Sequence, residues 1–140
     1  MIEIGVINIW VDPILSGNLD FGMPSLYEGK KRIVDNEKEL VKFQKDADVV
    51  IITQGFDDHA HSPTLKKLKA LRPDIPYVLP SSAVDILKEC GINKEKMTIM
   101  SPSQKILLSD KIELVATTGA LLGPPWKKKE NGYIIREKPF

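Results

Sequence analysis

Two histidines and two aspartates fall within five residues of this chain, in the run Ile52-Thr53-Gln54-Gly55-Phe56-Asp57-Asp58-His59-Ala60-His61. Imidazole nitrogens and carboxylate oxygens are both good zinc ligands, and the same pair of groups can move protons. The run follows the β-branched stretch Val49-Val50-Ile51-Ile52-Thr53 and precedes Ser62-Pro63. Serine as cap with proline in the first turn starts a helix. The cluster therefore sits in a loop between a strand and a helix, where a rigid scaffold presents polar groups. A plainer reading stands beside this one. Asp57 and Asp58 come just before a helix, where carboxylates favour the free backbone N–H groups, and His59 and His61 are then polar loop residues that hold nothing.

The surrounding elements must fix that loop. The run Val49 to Thr53 predicts a strand buried on both faces, as in a sheet covered by helices. Ile2 to Val11 is apolar and broken by Gly5 and Asn8, which predicts two short strands around a tight turn, or one bent strand. It ends at Asp12-Pro13, because proline cannot donate to a sheet ladder. Ser16 to Gly29 reads as an irregular loop whose Phe21, Met23, Leu26 and Tyr27 are expected to fold back onto the core. Helices are expected over Asp35 to Lys45, with a stripe of Leu40, Val41 and Phe43, and from Ser62 through Leu65, Leu68 and Leu71. A further helix, capped by Ser81 or Ser82, carries Val84, Ile86 and Leu87 and ends near Gly91. Tyr77 to Leu79, Met97 to Met100, Ile112 to Thr117 and Tyr133 to Ile135 read as strands, the last after an Asn131-Gly132 turn signal. Alternating strands and helices give a layered α/β fold.

Length and composition narrow the function. A chain of 140 residues, 42% hydrophobic and 28% charged, is an ordinary globular domain or a large piece of one. Twenty basic residues face nineteen acidic ones. That balance demands neither nucleic acid nor an anionic membrane as partner. The run Lys127-Lys128-Lys129 reads as a solvated loop rather than a phosphate patch. Cys90 stands alone, so no intrachain disulfide forms, and a reducing compartment fits. No apolar run approaches the ~20 residues that span a bilayer, and Met1-Ile2-Glu3-Ile4 lacks the features of a signal peptide. The expectation is a cytoplasmic or plastid-stromal protein. There is no Gly-rich phosphate loop with a lysine and no Gly-x-Ser-x-Gly elbow.

The histidine–aspartate run resembles the loop of metallo-β-lactamase-fold hydrolases, which reads Thr-His-x-His-x-Asp-His. Thr53, Asp58 and His59 match in register, while Gln54 and Phe56 stand where the first two histidines belong. The family's later metal histidine would fall near Thr117-Thr118-Gly119-Ala120, where this chain has none. Further segments are similar to the cyanobacterial and plastid β-lactamase-like branch. They are Val11-Asp12-Pro13-Ile14-Leu15 with Gly17 to Gly22, Thr53-Gln54 with Asp57-Asp58-His59 and His61, and Leu122-Gly123-Pro124-Pro125-Trp126 with Glu130-Asn131-Gly132-Tyr133. That branch also carries glutamine in the loop.

The resemblance, from about Ile2 to Tyr133, implies a layered αββα fold with a mixed sheet and covering helices. Residues 1–140 would be a single, partial domain: the first half of that fold and the start of the second, truncated at both ends. An open sheet edge would then invite a second copy of the chain. The functional implication is a degenerate metal loop in a non-catalytic or weakly catalytic domain that binds an unidentified small molecule. Asp58 and His59, with His61 as an unorthodox third ligand, would hold zinc weakly. Asp57 or Asp58 would accept a proton, and Asp12 and Gln54 would support the ligands from behind. Two alternatives are a single-zinc hydrolase built on Asp58, His59 and His61, and a protein-interaction module anchored by Trp126, Phe21, Tyr27 and Trp10.

Overall fold

A computed structural model describes residues 1–30, 36–124 and 126–139, with only the backbone of Asn36. The chain opens with a hairpin, β1 (Ile2–Ile4) and β2 (Ile7–Val11), turned at Gly5 with φ +59°. A positive φ there costs glycine nothing. Then come α1 (Asn36–Asp46), β3 (Val49–Ile51), α2 (Ser62–Leu71), β4 (Tyr77–Leu79), a 3-10 turn at Ser81–Ala83 leading into α3 (Val84–Glu89), and β5 (Met97–Ile99). Three more strands follow: β6 (Lys105–Leu107), β7 (Ile112–Thr118) and β8 (Asn131–Glu137).

These strands make two sheets. The first is mixed, in the order β1-β2-β3-β4-β5, with β1 antiparallel to β2 and the others parallel. The second is antiparallel, β6-β7-β8. Each face of the first sheet buries its own apolar cluster. Trp10, Val50, Tyr77 and Leu79 pack with Leu40, Phe43, Leu65, Leu68 and Leu87 on the helical side. Ile7, Ile9, Val49, Ile51 and Val78 pack against Met100, Ile112, Leu114 and Ala116 between the sheets. The layers are therefore helices, mixed sheet and antiparallel sheet, which agrees with the expected metallo-β-lactamase-like α/β architecture. β3 is buried along its whole length because it lies between two cores.

Several sequence expectations shift. The strand at 49 ends at Ile51, although Ile52 N–H still donates to the Val78 carbonyl at 2.8 Å. Val41 is 50% exposed, so the buried stripe of α1 is Leu40 and Phe43 alone; Asp35 lies outside the described residues. β6 was not foreseen; three residues, Lys105-Ile106-Leu107, are too short to show a period. Asn131-Gly132 is no turn but the start of β8, in register with Thr118 and Thr117. Gly132 is needed for close approach instead, since a Cβ there would lie 2.6 Å from Thr117 Oγ1. Phe21, Met23, Leu26 and Tyr27 do not fold back onto the core but stay exposed. Among the described residues, no helix is long and apolar enough to cross a membrane.

The helical layer is what holds β3 and its loop in place, and Leu65 is fully buried in it. Leu65→Ala should destabilise the fold by about 2–5 kcal/mol. Urea denaturation followed by circular dichroism checks this, and a loss under ~1 kcal/mol would mean that the packing does not depend on Leu65.

Candidate functional site

The site lies where β2 and β3 end side by side. These strands run parallel, with Val11 opposite Ile51. Asp12 therefore emerges beside Ile52 and Thr53, and its N–H donates to the Ile51 carbonyl at 3.0 Å. Asp12 adopts φ +42°, a left-handed conformation that aspartate tolerates better than most residues. Its carboxylate accepts three bonds. Thr53 N–H donates to Oδ1 at 2.8 Å, and the Thr53 hydroxyl donates to Oδ2 at 2.5 Å. His59 Nδ1 lies 2.8 Å from the same Oδ2 and 3.1 Å from Thr53 Oγ1.

That network assigns the His59 tautomer. A carboxylate can only accept, so the proton is on Nδ1 and the Nε2 lone pair is left for something else. Nε2 faces Asp58, whose Oδ2 is 3.6 Å away and whose side chain is 42% exposed. A carboxylate behind one imidazole nitrogen is the arrangement that orients metal-binding histidines. It equally orients a base.

The loop backbone turns between these groups. His59 and Ala60 N–H both donate to the Phe56 carbonyl, at 2.9 and 2.6 Å, and Ala60 is fully buried. Asp57 is turned aside: its Oδ2 accepts the Phe21 N–H at 3.2 Å, tying the Ser16–Gly29 segment to the loop. Phe56 carries the Lys127 ammonium 4.6 Å above its ring, a cation–π contact. Gln54 is half-buried and follows Thr53 at the strand's end.

His61 does not join Asp58 and His59. It is 1% exposed, and both its ring nitrogens are taken. Nδ1 lies 2.9 Å from Thr64 Oγ1 and Nε2 lies 3.1 Å from the Asn18 carbonyl. Thr64 Oγ1 already accepts N–H bonds from Leu15 at 2.8 Å and Ser16 at 3.0 Å. Its hydroxyl proton therefore goes to His61 Nδ1, and His61 donates from Nε2 to Asn18. His61 is a bracket between α2 and the chain after β2. Among the described residues, no group of three or more histidines, cysteines, aspartates or glutamates is placed to hold a metal ion. The residues present thus do not fit the metal centre common in this fold: the cluster offers His59 Nε2 and Asp58, and Phe56 cannot coordinate.

Sequence reasoning missed the clamp from the second sheet. Glu130, 3% exposed, accepts the Gly55 N–H at 3.0 Å and the Ser82 hydroxyl at 2.5 Å, both on Oε2. Gly55 passes so close to the 3-10 turn that a Cβ would lie 2.4 Å from the Ser82 carbonyl oxygen. The Asn131 N–H donates to the Thr53 carbonyl at 3.0 Å, and its Nδ2 donates to the Met100 carbonyl at 2.8 Å and to Tyr133 Oη at 3.1 Å. Burial pushes the Tyr133 hydroxyl up to about 12, with the Asn131 bond opposing and the Asp12 charge adding to the rise. Glu130 follows three lysines and reads in sequence as their counterion. Nothing local marks it as the partner of a loop 75 residues earlier. Of the four aromatic anchors, Trp10 is core, edge-on to Phe43 at 5.4 Å, while Phe21, Tyr27 and Trp126 are exposed.

A family model described as the beta-lactamase superfamily domain matches residues 1–139. The chain belongs to the β-lactamase superfamily. No curated protein matches it.

The bracket around Thr64 yields a test. Thr64→Val keeps the shape but leaves the Leu15 and Ser16 N–H groups and His61 Nδ1 without their partner. Each buried orphan costs about 1–3 kcal/mol. A loss of at least ~2 kcal/mol is expected in urea denaturation, with Thr64→Ser recovering most of it. Equal stability of the valine and serine variants would refute this reading of His61.

Proposed function

We propose that this protein is a β-lactamase-superfamily domain whose metal loop has degenerated, and that its remaining cleft binds a small molecule with little or no hydrolysis. One observation carries the reading. The Asp12–Thr53–His59 contacts orient an imidazole, while Phe56, capped by the Lys127 ammonium, stands where the sequence resemblance implies a histidine ligand. In the bound state His59 Nε2 would accept a hydrogen bond or proton from the ligand. Asp58, exposed beside it, would serve as the second acceptor; Asp57 is committed to Phe21. Asp12 and Gln54 would act only through the loop. We further propose that residues 1–140 are one partial domain of the cyanobacterial and plastid branch, working in the cytoplasm or stroma. A second copy would cover the free edge of β8.

The single-zinc hydrolase is the second reading. It draws on the carboxylate behind His59, and it needs a donor other than His61 to complete the ligand set. Zinc content separates the two. After dialysis the protein should hold well below one zinc per chain by elemental analysis, and the Gln54→His/Phe56→His double variant should hold more, because the strand-end loop is already shaped. Stoichiometric zinc in the unaltered chain, lost on His59→Ala, would replace this proposal with the hydrolase.

A further inference from the structure

The run Lys127-Lys128-Lys129 between β7 and β8 is exposed, as expected of a solvated loop. The same loop also folds around a cleft of about 310 Å3, lined wholly by its own residues, that brings Leu121, Leu122 and Pro124 together with Lys127, Lys128 and Lys129. That volume is at the small end of the range for small-molecule pockets, about 300–1,000 Å3. The lysines are not equivalent. Lys128 is partly neutralised by Asp85 at 3.1 Å. Lys127 is held over Phe56, and neither it nor Lys129 forms an ion pair with a described residue. Two uncompensated cations thus face an apolar wall in one cleft, and Lys127 connects that cleft to the Phe56–His59 turn. Leu121 is 83% exposed and Trp126 85% exposed, apolar area that water alone covers. The Phe21–Tyr27 pair, with ring centroids 5.8 Å apart, is also exposed, and the Phe21 N–H donates to Asp57.

We propose that this cleft binds a small amphiphilic anion, with its carboxylate or phosphate head on Lys127 and Lys129 and its hydrocarbon tail along Leu121 and Leu122, extending from the cleft onto Trp126, the exposed residue next to Lys127 in the chain. The inference goes beyond the proposed site: neither Asp58 nor His59 lines this cleft, and Lys127 over Phe56 is the link between the two. Charge selects the head: two ammonium groups without counterions attract an anion, and the apolar wall beside them strengthens that attraction. The tail gains by covering the exposed leucines and tryptophan. A metal plays no part, because the positive charge of the site comes from side chains.

Trp126 is itself a probe, since the other tryptophan, Trp10, is buried. Titration with decanoate below its micelle concentration, in EDTA, should give a saturable blue shift of the fluorescence that is absent in Trp126→Phe. Decanol, lacking the charge, and acetate, lacking the tail, should bind at least about tenfold more weakly, the loss of roughly one good interaction. The Lys127→Gln/Lys129→Gln variant should lose decanoate binding by a similar factor while its circular dichroism is unchanged. No saturable shift, equal affinity for decanol, or an unaffected lysine variant would each overturn the proposal. So would binding to anionic phospholipid vesicles without binding of decanoate, which would make the surface a membrane contact. Because EDTA is present, zinc content has no bearing on this result, and the two proposals can fail separately.

Discussion

One carboxylate sets the geometry on which the site depends. Asp12 closes the end of β2, and its two oxygens take the Thr53 amide, the Thr53 hydroxyl and the His59 ring. A charge-assisted bond of this kind is roughly twice as strong as a neutral one, and the residue is mostly withdrawn from water, its side chain 17% exposed. The left-handed backbone at Asp12 is the strain that aims it. Without that carboxylate, two parallel strands would still pair, but the imidazole would keep only the longer contact to the Thr53 hydroxyl, which can donate as well as accept and so fixes no tautomer.

The loop is then gripped from three sides. α2 and the chain after β2, at Leu15, Ser16 and Asn18, hold its far end through His61 and Thr64. The antiparallel sheet holds its near end through Glu130 and Asn131. The 3-10 turn before α3 leaves Gly55 no room for a side chain. Glu130 is buried and bonded to both loop and turn, so loss of that carboxylate would strand a backbone N–H and a hydroxyl together. This degree of support fits the function proposed above, in which the scaffold positions a loop without a full ligand set.

Local patterns carried much of this fold. The unbroken run at Val49 marked a strand buried on both faces, and Ser62-Pro63 marked the start of α2, because each signal is local and strong. The pairing of Asp12 with the histidine loop followed from register, once β2 and β3 were neighbours. What stayed hidden was non-local. Glu130 meets Gly55 across two sheets, and β6 is too brief for its period to show. His61 is two residues from His59 in sequence, yet the turn at Phe56 sends one ring outward and the other into the core; spacing alone does not distinguish them. The apolar residues of the Ser16–Gly29 loop were expected to bury and do not; Phe21 and Tyr27 pack on each other, their ring centroids 5.8 Å apart, and stay exposed.

The central claim is that His59 is held by Asp12 with Nε2 free, and that His61 is held the opposite way. The chain has only these two histidines, so a long-range proton–nitrogen correlation spectrum of the imidazoles resolves both directly. On the neutral rings, His59 should show its proton on Nδ1 and His61 on Nε2, with His59 switching tautomer population in Asp12→Asn. A His59 ring protonated on Nε2 in the unaltered protein, or one indifferent to Asp12, would contradict the account at its base.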